Sequence, residues 1–92
     1  MTKEKVLELA AHYKTLLPNP QQMPVESYDE VGHPDPDEVY PHAAWMCDRI
    51  VEFVAEDHIE KAMRWLGFVQ ALVWIDGEES LNTMRDMARN DD

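Results

Sequence analysis

Apolar residues recur along this chain at helical spacing, in four separate blocks. In the first, Val6, Leu9, Ala10, Tyr13 and Leu16/Leu17 fall three or four positions apart, which puts them on one face of a helix. The pattern predicts a helix over 2–17. Thr2 can cap its start, and Pro18 closes it, because the residue before a proline avoids the α region. The second block, 41–55, carries Ala44, Trp45, Cys47, Ile50, Val51 and Val54. Its apolar arc is broad, so contacts are expected on more than one side. The third block, 58–75, has an inner stripe of Ile59, Ala62, Met63, Leu66, Val69, Gln70 and Val73, and Trp65, Phe68, Leu72 and Trp74 widen it beyond one face. Asp57-His58-Ile59-Glu60 has the form of a capping box at its start. Asp76-Gly77 supplies its stop. The last block, 79–88, presents Leu81, Met84 and Met87 or Ala88, with Arg85 and Arg89 near the negative end of the helix dipole.

No strand alternation and no internal repeat interrupts this pattern. The expected fold is all-α, a single helical domain over 1–92. An N-terminal helix leads to a connector, then to a central antiparallel hairpin of 41–55 and 58–75, because the link between those two is only a few residues. A short C-terminal helix closes the chain, and the tail Asn-Asp-Asp is expected to fray.

The connector, 18–40, differs in kind. It holds five of the six prolines and six acids, and no Lys or Arg occurs between Lys14 and Arg49. Loops of this length are functional or mobile. Asp35 as cap, Pro36 at the first helical position and Glu38 two residues later could start a short turn. Pro41 would break a helix that ran through it, so the main second helix is expected to begin there.

Charge narrows the function classes. Nineteen acids against eight basic residues give a net charge of −11. Such a surface repels phosphate, which argues against direct binding of nucleic acid or of an anionic membrane. No apolar run is long enough to span a bilayer, and the N-terminus lacks the pattern of a secretory signal. One cysteine, Cys47, fits a reducing compartment, so a cytoplasmic location is expected.

Three stretches carry a resemblance. His-Ala-Ala-Trp-Met-Cys-Asp-Arg-Ile from His42, then Glu-Lys-Ala-Met-Arg-Trp-Leu-Gly-Phe-Val-Gln from Glu60, then Asp-Gly-Glu-Glu-Ser-Leu from Asp76, resemble small accessory proteins of tailed bacteriophages and prophages. That pattern is a tryptophan-bearing helix, a Lys-Ala-x-Arg-Trp-Leu-Gly-Phe-Val/Ile-Gln helix, and a short helix ending in Arg-Asn or Arg-Pro. The matching positions are Trp45, Lys61, Ala62, Arg64, Trp65, Leu66, Gly67, Phe68, Val69 and Gln70. The likeness covers about residues 42–90. Ala71 stands where the pattern has glycine, a departure that argues against a close helix crossing at that point. The resemblance implies a helical fold and a phage or prophage origin in a bacterial cytoplasm. It implies no activity.

The candidate chemistry is that of a binding protein rather than an enzyme. No Gly-rich phosphate loop and no nucleophile motif is present. His42 and Cys47, five apart, point about 140° away from each other on a helix. Cys47 reads as a small core residue, and His12 and His42 as surface or helix-edge residues. The four histidines and Cys47 lack paired zinc spacing, the acids lack the calcium-loop pattern, and no cofactor is implied. Trp45, Trp65, Phe68, Leu72 and Trp74, with Arg64 beside them, present more apolar surface than a 92-residue core can cover. They are expected to form a partner or oligomer interface, with a homodimer through the third helix favoured. Gly67 costs about 1 kcal/mol against alanine in mid-helix, which suggests that a backbone or ring, such as Trp45 or Tyr13, approaches it closely. Glu26, Asp29, Glu30, Asp35, Asp37 and Glu38 would dock a basic bacterial protein electrostatically, in regulation, takeover or anti-defence. One alternative is a small ligand held between Tyr13, Trp45, Arg64, Trp65 and Gln70. Another is a structural or assembly role.

Overall fold

The structure, a computed structural model, describes residues 1–89. Four α-helices make up the fold, and no strand occurs among the described residues. The expectation for the terminal Asn-Asp-Asp lies outside the described residues.

Helix α1 spans Lys3–Thr15, and Thr2 caps it by accepting from the Lys5 amide at 3.1 Å. Its stripe is the one read from the sequence: Val6, Leu9, Ala10 and Tyr13 are all buried.

Helix α2 spans Pro36–Ala55, five residues longer at its start than the predicted 41–55. Asp35 caps it, its carboxylate accepting from the Asp37 amide at 2.9 Å. Pro41 lies inside the helix without ending it. Its fixed φ suits a helix, and its missing N–H costs one bond, to the carbonyl of Asp37. Asp37 is exposed in the first turn, so water can take that carbonyl. The first five residues of α2 therefore come out of the expected connector. A 3-10 helix at Val25–Asp29 gives the connector further structure that the sequence pattern did not foretell.

Helix α3 spans Ile59–Ile75 and pairs with α2 as the expected hairpin. The capping box does not form. His58 caps α3 with no side-chain bond. Asp57 instead belongs to the end of α2, at φ 64°. The Asp57 amide donates to Val54 at 3.1 Å and the His58 amide to Phe53 at 2.8 Å, the two bonds of a left-handed helix terminus. The Asp57 carboxylate accepts from Lys3 at 2.7 Å and so ties α1 to the hairpin turn. The same device ends α3 as predicted. Gly77, at φ 82°, donates to Trp74, and Glu78 donates to Val73.

Helix α4 spans Leu81–Arg89. Ser80 Oγ accepts from the Thr83 amide at 3.1 Å and caps it. Met84 anchors it in the core, and Glu79, just before it, pairs with His12 of α1.

The core joins all four helices through Leu9, Tyr13, Ile50, Phe53, Leu66, Val69 and Met84. Two readings of α3 need correction. Met63, placed on the inner stripe, is 40% exposed. It sits about 100° from the centre of the buried Ala62–Leu66–Val69–Val73 face. Gly67 is exposed, and nothing stands within 4 Å of where its Cβ would be. Among the described residues, no ring or backbone fills the expected notch. Among the described residues, no helix is long and apolar enough to cross a membrane.

Candidate binding surface

The connector doubles back along the first turns of α2 and is held there by main-chain donors. The Gln21 amide donates to the Pro41 carbonyl at 3.0 Å. The Met23 amide donates to His42 Nδ1 at 3.1 Å. Gln22 Nε2 donates to the Tyr28 hydroxyl at 2.8 Å and braces the 3-10 turn.

This clasp builds one wall of an apolar hollow of about 430 Å³. Met23, Tyr28 and Pro34 of the connector, Val39 and His42 of α2, and Phe68 and Leu72 of α3 line it. Beside it runs a second depression of about 540 Å³, bordered by Glu30, Asp35 and Glu38 and by Val31 and His33. The two share Met23, Ser27 and Pro34 as a common wall. No lysine or arginine lines either one. The result is a greasy compartment that opens beside an acidic one.

His42 is the titratable ring that fastens the hollow, beside the hydroxyls of Ser27 and Tyr28. Because Nδ1 accepts from Met23, a neutral ring carries its proton on Nε2. Burial pushes its pKa below the ordinary imidazole value, so the ring stays neutral at pH 7 and the clasp holds. His42 also belongs to a continuous row of rings. Its centroid is 5.9 Å from Tyr28 and 5.0 Å from Trp45. Trp45 is 6.0 Å from Trp65, which meets Phe53 edge-on at 4.8 Å. Lys61 and Arg49 lie over the Phe53 ring at 4.6 and 5.2 Å. The row connects the hollow to the core, and aromatic pairs of this geometry hold their members firmly.

The residues singled out from the sequence divide among these features. Of the expected interface set, Phe68 and Trp74 are 55% and 52% exposed. Leu72 is half-buried at the hollow, and Trp45 and Trp65 are half-buried in the aromatic row. Arg64 is exposed on the outer face of α3. The residues of the alternative ligand pocket separate into two pairs and a single. Tyr13 is fully buried and its hydroxyl accepts from Gln70 Nε2 at 3.1 Å; Trp45 lies beside Trp65 with the rings tilted at 45°; Arg64 is exposed. Of the six acids, Glu26 and Asp29 lie on the 3-10 turn, Asp37 lies in the first turn of α2, and Glu30, Asp35 and Glu38 rim the acidic depression.

Met23, Tyr28 and Val39 escaped the sequence reading, and His42, read there as a surface or helix-edge residue, is instead half-buried and accepts from the Met23 amide. Their one signal was that Met23 and Tyr28 are among the few large apolar residues in a stretch of prolines and acids. Cys47 is buried, and desolvation, reinforced by Asp48, pushes its pKa up to about 12. It is therefore a thiol at neutral pH, the weakly nucleophilic form. Among the described residues, no group of three His, Cys, Asp or Glu is placed to hold a metal ion. No family model matches this chain, and no curated protein or solved structure matches it.

Proposed function

We propose that this chain is a non-catalytic accessory protein of phage or prophage origin that binds a basic protein of the bacterial host. The origin rests on the tryptophan-helix resemblance. The chemistry of the partner rests on one observation, the wall of Met23, Ser27 and Pro34 shared by an apolar hollow and an acid-rimmed depression. A segment that fits both carries an aliphatic or aromatic side chain for the hollow. It carries a Lys or Arg a few residues away for Glu30, Asp35 and Glu38. The apolar part gives the anchor, and the charge gives orientation and on-rate. A chain of net charge −11 also draws a basic partner from a distance.

The test is capture of partners from a bacterial lysate, followed by titration of the purified complex. Wild type is compared with Phe68→Glu and with Glu30→Lys, Asp35→Lys and Glu38→Lys together. One basic host protein, lost with both variants and held less tightly at high salt, is the expected result. A partner held equally by the triple variant would refute the charged half of the reading.

A second reading is favoured by the size of the hollow. Its volume lies in the range of roughly 300–1,000 Å³ common for small-molecule sites. A small apolar molecule bound there would change the emission of Trp45, whose ring lies 5.0 Å from that of His42. Such a change, with no protein captured, would select this alternative.

A further inference from the structure

The outer face of α3 is left uncovered by the rest of the chain, and its residues follow a definite order. Glu60, Arg64, Gly67, Ala71 and Trp74 alternate at spacings of four and three and are all exposed. That alternation keeps the five on one side of the helix, at the spacing helix pairs use, with charged residues at its N-terminal end and small or aromatic ones beyond. Small residues stand at its centre, and space over Gly67 is open. Phe68 and Ile75, 55% and 67% exposed, extend the apolar strip on one side. A groove bordered by Ala71, Trp74, Leu81, Met84 and Ala88 extends it on the other. A helix apolar on both faces is ordinarily buried on both.

We infer that this face pairs with the same face of a second copy, the two α3 helices running antiparallel about a two-fold axis at the level of Val69. The register follows from the residues. A two-fold axis at that point sets Gly67 against Ala71 of the second copy, where a single methyl group, more than the glycine pattern would leave, separates the backbones. It also sets Arg64 against Trp74 of the second copy, and the contact occurs twice. Among the described residues Arg64 makes no ion pair or ring contact, a state it shares with Arg85 and Arg89 of α4. Lys3, Lys5, Lys14 and Arg49 have carboxylate partners, and Lys61 lies over Phe53. A guanidinium over a tryptophan face is a favourable pair.

Charge points to the same occupant. Two copies of a −11 chain repel each other over most of their surface. From Lys61 to Ile75, however, α3 contains no acid, so this face is where they can meet. The register does set Glu60 near Glu78 of the second copy at each rim, where solvent screens the repulsion. An α3 about 25 Å long and a strip about 20 Å wide give on the order of 500 Å² per copy, the low end of specific interfaces. The dimer is therefore expected to dissociate at about micromolar concentration. This face adjoins the connector hollow at Phe68, but its central residues Arg64, Gly67, Ala71 and Trp74 line no part of the hollow, and the inference stands without the reading proposed above.

Sedimentation of the full chain from about 1 to 300 μM tests it, together with substitutions at the exposed Trp74. Both Trp74→Arg and Trp74→Glu remove the same ring. Trp74→Arg lowers the net negative charge, so general repulsion alone would make it the better dimer. The register reverses that order, because position 74 faces Arg64 of the second copy. Trp74→Arg is expected to associate roughly tenfold more weakly than Trp74→Glu. Adding Arg64→Glu to Trp74→Arg should restore association. Circular dichroism verifies that each variant retains its helices. A wild type that stays monomeric at 300 μM overturns the inference. So does a dimer in which Trp74→Arg matches or exceeds Trp74→Glu, or in which the double variant gives no recovery.

Discussion

Tyr13 and Gln70 are joined by a single hydrogen bond across the α1–α3 contact, and its contribution can be isolated. Tyr13→Phe removes one oxygen and leaves the ring in place, so no cavity of consequence opens. The ring is fully buried. The hydroxyl accepts from Gln70 Nε2 at 3.1 Å. A neutral bond of this kind is worth about 0.5–1.5 kcal/mol net, and a fully buried orphan would cost more. Gln70 is half-buried, so water can reach its freed donor and limit the loss. The expected cost is about 1 kcal/mol. For a domain of this size that lowers Tm by roughly 4–8 °C. Chemical denaturation followed by tryptophan fluorescence measures it, in a cycle with Gln70→Met and the double variant. A coupling near 1 kcal/mol is expected. Coupling below about 0.3 kcal/mol, with Tm unchanged, would refute a structural role for the bond. It would return Tyr13 and Gln70 to the ligand reading, in which substitution alters binding and leaves stability alone.

Other outcomes follow from the same geometry. Gly67→Ala adds a methyl group to open space on an exposed turn, so at concentrations too dilute for association it should stabilise the monomer by about 1 kcal/mol. A loss of stability would reveal a close neighbour at that position. The Cys47 thiol, buried and pushed up to about 12, should react with a thiol reagent at pH 8 only at the rate of unfolding, which added urea should raise in parallel. His42 has a folded pKa below its unfolded value, so the unfolded chain takes up its proton first. Its contribution to stability is present in full above the ordinary value of 6.5 and is lost as the pH falls from there through the lower folded value. Urea midpoints between pH 7.5 and 5 should therefore fall more steeply for wild type than for His42→Phe, and equal slopes would exclude this residue as the cause.

Much of the fold was legible because local signals and tertiary packing agree. Thr2, Asp35, Asp76-Gly77 and the buried stripe of α1 all act as their residue types suggest. The exceptions are places where two rules compete. Pro41 was read as a breaker, yet near a helix start it costs a single bond, and the cap at Asp35 prevails. Asp57 fits the first position of a capping box, but the end of α2 claims it for a left-handed turn before α3 can use it. Met63 was placed on the inner stripe by its spacing and Gly67 in a close contact by the cost of a mid-helix glycine, and in a helix apolar nearly all round neither rule says which face is inward. The hollow was not legible because it is assembled from positions far apart. Met23 reaches His42 through a main-chain N–H, and an amide group is the same at every non-proline residue.

That anonymity of the amide has an evolutionary consequence. The strap across α2 is fastened by the backbone of residues 21 and 23, so their side chains are free to drift while the fastening survives. Only proline is barred at either place, in a stretch otherwise crowded with prolines. The burden of constancy falls on the receiving side, where an imidazole must stand at position 42. Relatives of this chain could thus differ widely along the connector, remodel the lining that a partner meets, and still hold the strap in the same place.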